Sequence, residues 1–158
     1  MSQTDMLPVR CEVRGVFVAI NDTATVPAVV LTDDVGRMLP IFIGLWEAVS
    51  INSALNKEVT PRPFTHELFT DLMGRFSISV HHLQIDSIEE GVYYAQLVLA
   101  ADGREECLDC RPSDGITVAL RANASIFVDE SLLVPGEPGE CVSEMVDLAT
   151  FLQKTGKE

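Results

Sequence analysis

Positive charge is scarce in this chain of 158 residues: 11 lysines and arginines stand against 24 aspartates and glutamates, for a formal net charge of −13. Sequence-independent binding to nucleic acid depends on basic side chains neutralising phosphates, so a general polyanion-binding role is disfavoured. A local arginine cluster is not excluded. Long apolar runs are also missing, and none approaches the ~20 residues a membrane helix needs. The N-terminal Met1-Ser2-Gln3-Thr4-Asp5 has neither the basic start nor the apolar core of a secretory signal. These features lead us to expect a soluble, cytoplasmic protein with no membrane partner. Cysteine is limited to positions 11, 107, 110 and 141, and in that compartment the thiols are expected to be reduced. Cys107-Leu108-Asp109-Cys110 is a C-x-x-C, but a zinc site needs a second close pair. A redox motif belongs at a helix N-terminus, whereas Cys107 falls in an apparent strand.

Apolar residues make up 47% of the chain, enough for one domain with a core. Residues 9–20 read as a strand, half-exposed at first and then continuously apolar, with Gly15 as a bulge. Strands at 28–32 and 38–43 follow, with turns at 21–23 and 33–36, as in a β-meander. Helical spacing runs through Leu45, Ala48, Val49, Asn52 and Leu55, and through Leu68, Phe69, Leu72, Met73 and Phe76. Thr65 is the expected cap of that second helix. Residues 77–88 are strand-like, with a phase change at His81-His82 that predicts a bulge. Adjacent strand residues point to opposite faces, which argues against a metal site on those two histidines. Glu89-Glu90-Gly91 and Asp102-Gly103 are turns, the latter a strong hairpin signal, and they define strands at 92–101 and 105–110. A helix over 113–122 and a strand at 125–128 complete the body. Residues 135–141 read as a Pro/Gly linker. Val142, Met145, Val146, Ala149 and Leu152 predict a helical tail over 142–158, docked on the body or on a neighbouring subunit. We thus expect an α+β fold: mainly antiparallel strands in a mixed sheet, about three helices on it, and the tail.

The stretch with most chemistry is Asp109-Cys110-Arg111-Pro112-Ser113-Asp114-Gly115. Ser113 has the chemistry of a helix cap. Asp114 would complement the helix dipole. Arg111 offers a planar fork of donors for a carboxylate or phosphate, and capping does not explain it.

Several blocks together resemble the bifunctional nuclease domain family. They are Leu39-Pro40-Ile41-Phe42-Ile43-Gly44 with Glu47-Ala48, Ile51 and Leu55; Arg62-Pro63 with Thr65-His66-Glu67-Leu68; Gly91-Val92-Tyr93-Tyr94-Ala95; and Asp109, Arg111-Pro112-Ser113-Asp114 with Ala119-Leu120-Arg121. The similarity covers about residues 9–134, so a domain over 1–134 is expected, with the linker and tail outside it. Cys110 and Gly115 depart from the family's usual small residue and alanine; a helical glycine costs roughly 0.5–1 kcal/mol. The resemblance implies an α+β fold, a homo-oligomer built from dimers, and nuclease activity on DNA and RNA as ascribed to plant members. Metal-assisted phosphodiester hydrolysis would need carboxylates on a divalent cation, a base and a phosphate-binding cation. The residue types assign Asp109, Asp114 and Glu47 to Mg²⁺ or Mn²⁺, His66 to the base, and Arg62 and Arg111 to phosphate. In the plainer reading, Arg62 and Arg111 pair with Glu67 and Asp109. The chain is then a non-catalytic homo-oligomeric binding or regulatory module using the same polar groove.

Overall fold

The computed structural model describes residues 6–20, 24–135 and 145–155. Its long first strand, β1 (Pro8–Ile20), organises the sheet. β2 (Thr25–Thr32) and β3 (Met38–Phe42) continue from one edge of β1 as antiparallel neighbours. Beyond them run helix α1 (Leu45–Leu55), helix α2 (Thr65–Arg75), and strands β4 (Ser79–Glu89), β5 (Val92–Ala101) and β6 (Arg104–Cys110). Helix α3 (Pro112–Ala122) and strand β7 (Ser125–Asp129) follow, then β8 (Met145–Asp147) and helix α4 (Leu148–Thr155). The strand order is β3-β2-β1-β7-β4-β5-β6, with β8 also on β1. All pairings are antiparallel except β4 with β7, which makes the sheet mixed and the fold α+β.

The expected bulges are present. The β1–β2 register shifts between Val13 and Gly15, and the β4–β5 register shifts between Val80 and His82. A second β4 shift, between Ile85 and Ser87, carries no sequence mark of its own. The first β4 bulge has a consequence that simple alternation misses. His81 and His82 do not point apart; their Nδ1 atoms meet at 2.7 Å. Both predicted hairpin turns have positive φ at their central residues, Glu90-Gly91 and Asp102-Gly103, as a tight turn matching strand twist requires.

Both helix-cap expectations are corrected. The N-cap of α3 is Arg111, with Pro112 in the first turn and no side-chain cap bond. Proline suits this position because its fixed φ is helical and it has no N–H to leave orphaned. Ser113 is therefore inside the helix and buried. The N-cap of α2 is Phe64, one residue before Thr65, again without a side-chain bond. At its far end α3 closes with Asn123 in the left-handed region and Ala124 N–H donating to Ala119 O at 2.8 Å, a Schellman-type stop.

α1 and α3 pack on one another and against β1, β2, β4 and β5, and α2 leans chiefly on α3. The core includes Val18, Val29, Leu31, Ile51, Leu83, Ile85 and Ile116, all at 0% exposure. Close packing explains the two departures from the family pattern as one feature. A Cβ on Gly115 would lie 2.5 Å from Leu83 Cδ1 and 3.0 Å from Cys110 Sγ. The cysteine and the leucine occupy the room an alanine would need. Gly115→Ala should gain helix propensity but lose more to overpacking, a net cost of about 1 kcal/mol in urea unfolding. Adding Cys110→Ala should recover part of that loss, and strict additivity of the two changes would contradict the coupling.

The linker expected at 135–141 lies outside the described residues apart from Pro135, and so do Val142 and Cys141. The tail differs from the expected continuous helix. Met145 and Val146 belong to β8, which pairs with Ala19 and Val18 on the stretch of β1 beyond its pairing with β7. That stretch offers unpaired backbone groups, which a strand satisfies and a helix does not. The helix begins only at Leu148, which is fully buried, and it packs on β1 and α1 of the same chain.

Candidate active site

Three elements bring a polar cluster together at the N-terminus of α3. Arg111 follows β6 and caps α3, Asp114 lies in the first turn of α3, Glu47 in the first turn of α1, and His66 in the first turn of α2. The Arg111 guanidinium holds Asp114 with two bonds, Nε to Oδ2 at 2.9 Å and Nη2 to Oδ1 at 3.2 Å. Its Nη1 donates to Glu47 Oε1 at 3.2 Å. Gly44 makes room for Glu47, because a Cβ there would collide with the Glu47 carboxylate. His66 Nε2 lies 2.9 Å from Asp114 Oδ1.

Protonation follows from these contacts. Burial alone would raise the Asp114 pKa, but hydrogen bonds and charge from Arg111 and His66 outweigh it and hold the acid below its ordinary 3.8. Asp114 is thus a carboxylate near neutral pH, and a carboxylate only accepts. His66 Nε2 must then be the N–H donor. In neutral imidazole this leaves Nδ1 with a lone pair, and Nδ1 has no hydrogen-bond partner among the described residues. An acid that fixes the tautomer of a histidine whose other nitrogen is open is the arrangement of a general base and its orienting group. Arg111 is held in its charged form chiefly by the Asp114 hydrogen bond.

A pH prediction follows. Because the folded-state pKa of Asp114 is lowered, its contribution to stability is complete above 3.8 and is lost as pH falls through the depressed value. Urea midpoints measured from neutral to strongly acid pH should fall less steeply in Asp114→Asn than in the wild type. Identical slopes would mean that the ionised acid is not stabilised by its neighbours.

A second network lies on the neighbouring turns of α2 and α3. Arg121 Nη2 donates to Glu67 Oε1 at 3.1 Å and to Ser53 Oγ at 3.2 Å, and its Nη1 donates to Glu58 O at 2.8 Å. Thr60 Oγ1 donates its one proton to Arg62 O at 2.5 Å and lies 3.2 Å from Glu67 Oε2. The expected pairing of Arg62 and Arg111 with Glu67 and Asp109 is therefore corrected: Arg111 takes Asp114 and Glu47, and Glu67 takes Arg121. Arg121 carried no assigned role in the sequence, although its position seven residues after Asp114 sets both on one face of α3.

Of the six sequence candidates, His66, Asp114, Arg111 and Glu47 converge. Asp109 does not. Leu108 and Cys110 line an apolar cavity of about 270 Å³ with His66, Asp114 and Phe69, and alternation along β6 turns the exposed Asp109 to the other face of the sheet. Arg62 is exposed on the α1–α2 connection, and its guanidinium has no partner among the described residues. Among the described residues no group of three or more His, Cys, Asp or Glu side chains is disposed to hold a metal ion. The thiols take no part: Cys11, Cys107 and Cys110 are free, and burial first of all pushes Cys110 up to about 11, which keeps it an unreactive thiol.

Cavities flank the cluster. One of about 290 Å³ is lined by Phe42, Glu47, Tyr93 and Arg111. Another of about 340 Å³ is lined by Trp46, Phe64, His66, Glu67 and Arg121. A larger one, about 470 Å³, lies away from these residues, beside Arg10, Glu12, Asp33 and Asp34. Asp33 there is tied to Arg37 and to the backbone of its own turn, and no base adjoins it. Size is therefore a poorer guide to the site than chemistry is.

Known proteins bear on this geometry. An uncharacterised protein of Mycobacterium tuberculosis is 35% identical over 136 residues, covering 82% of this chain and 81% of that protein. Bifunctional nuclease 1 of Oryza sativa subsp. japonica is 30% identical over 118 residues, 72% of this chain but 36% of the plant protein. Bifunctional nuclease 2 of Arabidopsis thaliana is 28% identical over 105 residues, 65% of this chain and 32% of that protein. This chain thus spans about a third of the plant proteins it matches. The family model for the bifunctional nuclease domain matches residues 29–136, which include Glu47, His66, Arg111 and Asp114. The chain belongs to the bifunctional nuclease domain family.

Proposed function

We propose that the chain hydrolyses phosphodiester bonds in DNA or RNA at the His66–Asp114–Arg111–Glu47 cluster. The observation that carries this reading is the ionised Asp114 bonded at once to His66 and Arg111. His66 Nδ1 takes the proton of the attacking water or hydroxyl. The resulting imidazolium is stabilised by Asp114 and can return the proton to the leaving oxygen. Arg111 meets the phosphate, whose negative charge grows in the transition state, and its fork geometry fits phosphate oxygens. Arg62 adds a cation, unpartnered among the described residues, four residues before His66. The names of the plant relatives support the nuclease reading.

A divalent cation is a further part of the proposal. Mg²⁺ or Mn²⁺ is commonly held by one or two carboxylates together with substrate phosphate, and Glu47 and Asp114 fit that share of the shell. Asp109 does not join them. When bound, the ion would neutralise phosphate charge. Because Arg111 bridges the same two acids, metal and guanidinium would compete for them. The test is cleavage of single- and double-stranded DNA and RNA by purified protein with Mg²⁺, Mn²⁺ or EDTA. Activity that survives EDTA would assign the charge stabilisation to Arg111 alone.

The second reading is a non-catalytic module using the same groove. What favours it is that Glu47 and Asp114 already neutralise Arg111 in a chain of net charge −13. Binding without turnover under every metal condition would establish it. The free thiols suit a reducing compartment, and the cytoplasm is the one we propose. No described helix is long and apolar enough to cross a membrane.

For assembly we propose a homo-oligomer built from dimers through α2. Leu68, Leu72 and Phe76 are 60%, 53% and 71% exposed and four residues apart, so they form one apolar stripe. A second copy of the same helix offers an equally apolar stripe, and packing about a two-fold axis would cover both. Leu72→Asp should lower the mass seen by light scattering to that of a smaller assembly, and an unchanged mass would place the interface elsewhere.

A further inference from the structure

We propose that the cavity beside His66 is a nucleobase subsite, in which Trp46 and Phe64 stack an unpaired base and Glu67 accepts hydrogen bonds from its N–H edge. The proposal rests on the phosphodiesterase reading for what is attached to the base, but base binding itself is a separate event.

The cavity holds about 340 Å³ and has two unlike parts. Its rim carries Trp46 and Phe64, which are 79% and 66% exposed. Neither ring is used by the core, and both border one opening. Aromatics make up only 6% of the chain and tryptophan occurs once, so two exposed rings at one cavity are not a consequence of an aromatic-rich surface. The floor is polar and held in place. Arg121 fixes Glu67 Oε1 and Ser53, while the Thr60 hydroxyl near Glu67 Oε2 gives its one proton chiefly to Arg62 O. Both Glu67 oxygens therefore keep capacity to accept from a ligand. A carboxylate so placed favours a base edge rich in N–H donors, and guanine, with its ring N–H and exocyclic amine, offers the best match.

His66 connects this cavity to the reaction. It lines the cavity and also contacts Asp114, which Arg111 holds. A nucleotide with its base between Trp46 and Phe64 would carry its phosphate toward the His66–Arg111 side. A base stacked and paired in a duplex cannot enter such a slot without being extruded, so single strands should bind preferentially. The acidic surface opposes any polyanion, so stacking must supply much of the affinity.

The single tryptophan makes the test direct, because emission from the intact protein reports on Trp46 alone. Guanosine, GMP, UMP, a short single-stranded oligonucleotide and its duplex would be titrated in EDTA. Saturable quenching is expected from guanosine, GMP and the single strand, with UMP and the duplex about tenfold weaker. Phe64→Ala should weaken guanosine binding about tenfold with circular dichroism unchanged. Glu67→Gln should narrow the difference between GMP and UMP. Guanosine quenching in a protein that cleaves nothing would leave the subsite standing and remove the phosphodiesterase reading. Cleavage without quenching by guanosine or GMP would remove the subsite. Trp46 emission that is already shielded, and that reddens on dilution, would assign the cavity mouth to a second copy of the chain and overturn the proposal.

Discussion

Arg111→Ala is expected to lower phosphodiester cleavage by about 10²–10³-fold, the usual cost of removing one donor that meets developing transition-state charge. The fold should survive it. The Arg111 side chain is 64% exposed, and ion pairs this open contribute little to stability. The thermal midpoint should therefore stay close to that of the wild type while activity is lost, a separation that a merely structural arginine would not give. The His66–Asp114 contact does not pass through Arg111 and should persist. Arg111→Lys tests geometry against charge. It keeps the positive charge but not the two-bond fork on Asp114, so it should recover only part of the activity.

Arg121→Ala should act in the opposite way, through stability first. Arg121 and Glu67 are 15% and 19% exposed, so the pair is mostly shielded from water. Removing the arginine leaves a largely buried carboxylate whose remaining side-chain neighbour, Thr60, shares its one proton with Arg62 O. It also cuts the tie to Glu58 O that holds the α1–α2 connection against α3. A loss of about 2–3 kcal/mol in urea unfolding is expected. Activity should fall less than in Arg111→Ala when measured well below the unfolding transition. If Arg121→Ala is as stable as the wild type, the connection must be held by contacts other than this network.

The strands and turns were readable because their signals are local. Alternation in β1 and β5 and the Glu90-Gly91 and Asp102-Gly103 turns are properties of a few adjacent residues. The cap of α3 lies before Ser113 because proline's fit to the first helical turn outweighs the serine hydroxyl, a competition that residue type alone does not rank. Met145 and Val146 keep helical spacing yet form a strand, because apolar spacing cannot reveal an open stretch on β1 from the far end of the chain.

The site was legible in part for a similar reason. Arg111, Asp114, His66 and Glu47 all fall at helix N-termini, where first-turn side chains point at a common corner once the helices pack. Asp109 has the residue type a metal ligand needs, but its place between Leu108 and Cys110 in an alternating strand sends it to the opposite face. Arg121 is not legible from sequence because its value lies in partners 54 and 68 residues away, which only the packing of α1, α2 and α3 brings together. The exposure of Trp46 and Phe64 is visible only once the core is known.

The most direct test of the central claim is His66→Ala beside wild type in one cleavage assay on a single-stranded oligonucleotide. The cluster predicts a His66→Ala variant that is folded and at least ~100-fold slower than wild type. Equal rates for the two proteins would contradict it, and would assign the cleavage to another site or to another protein.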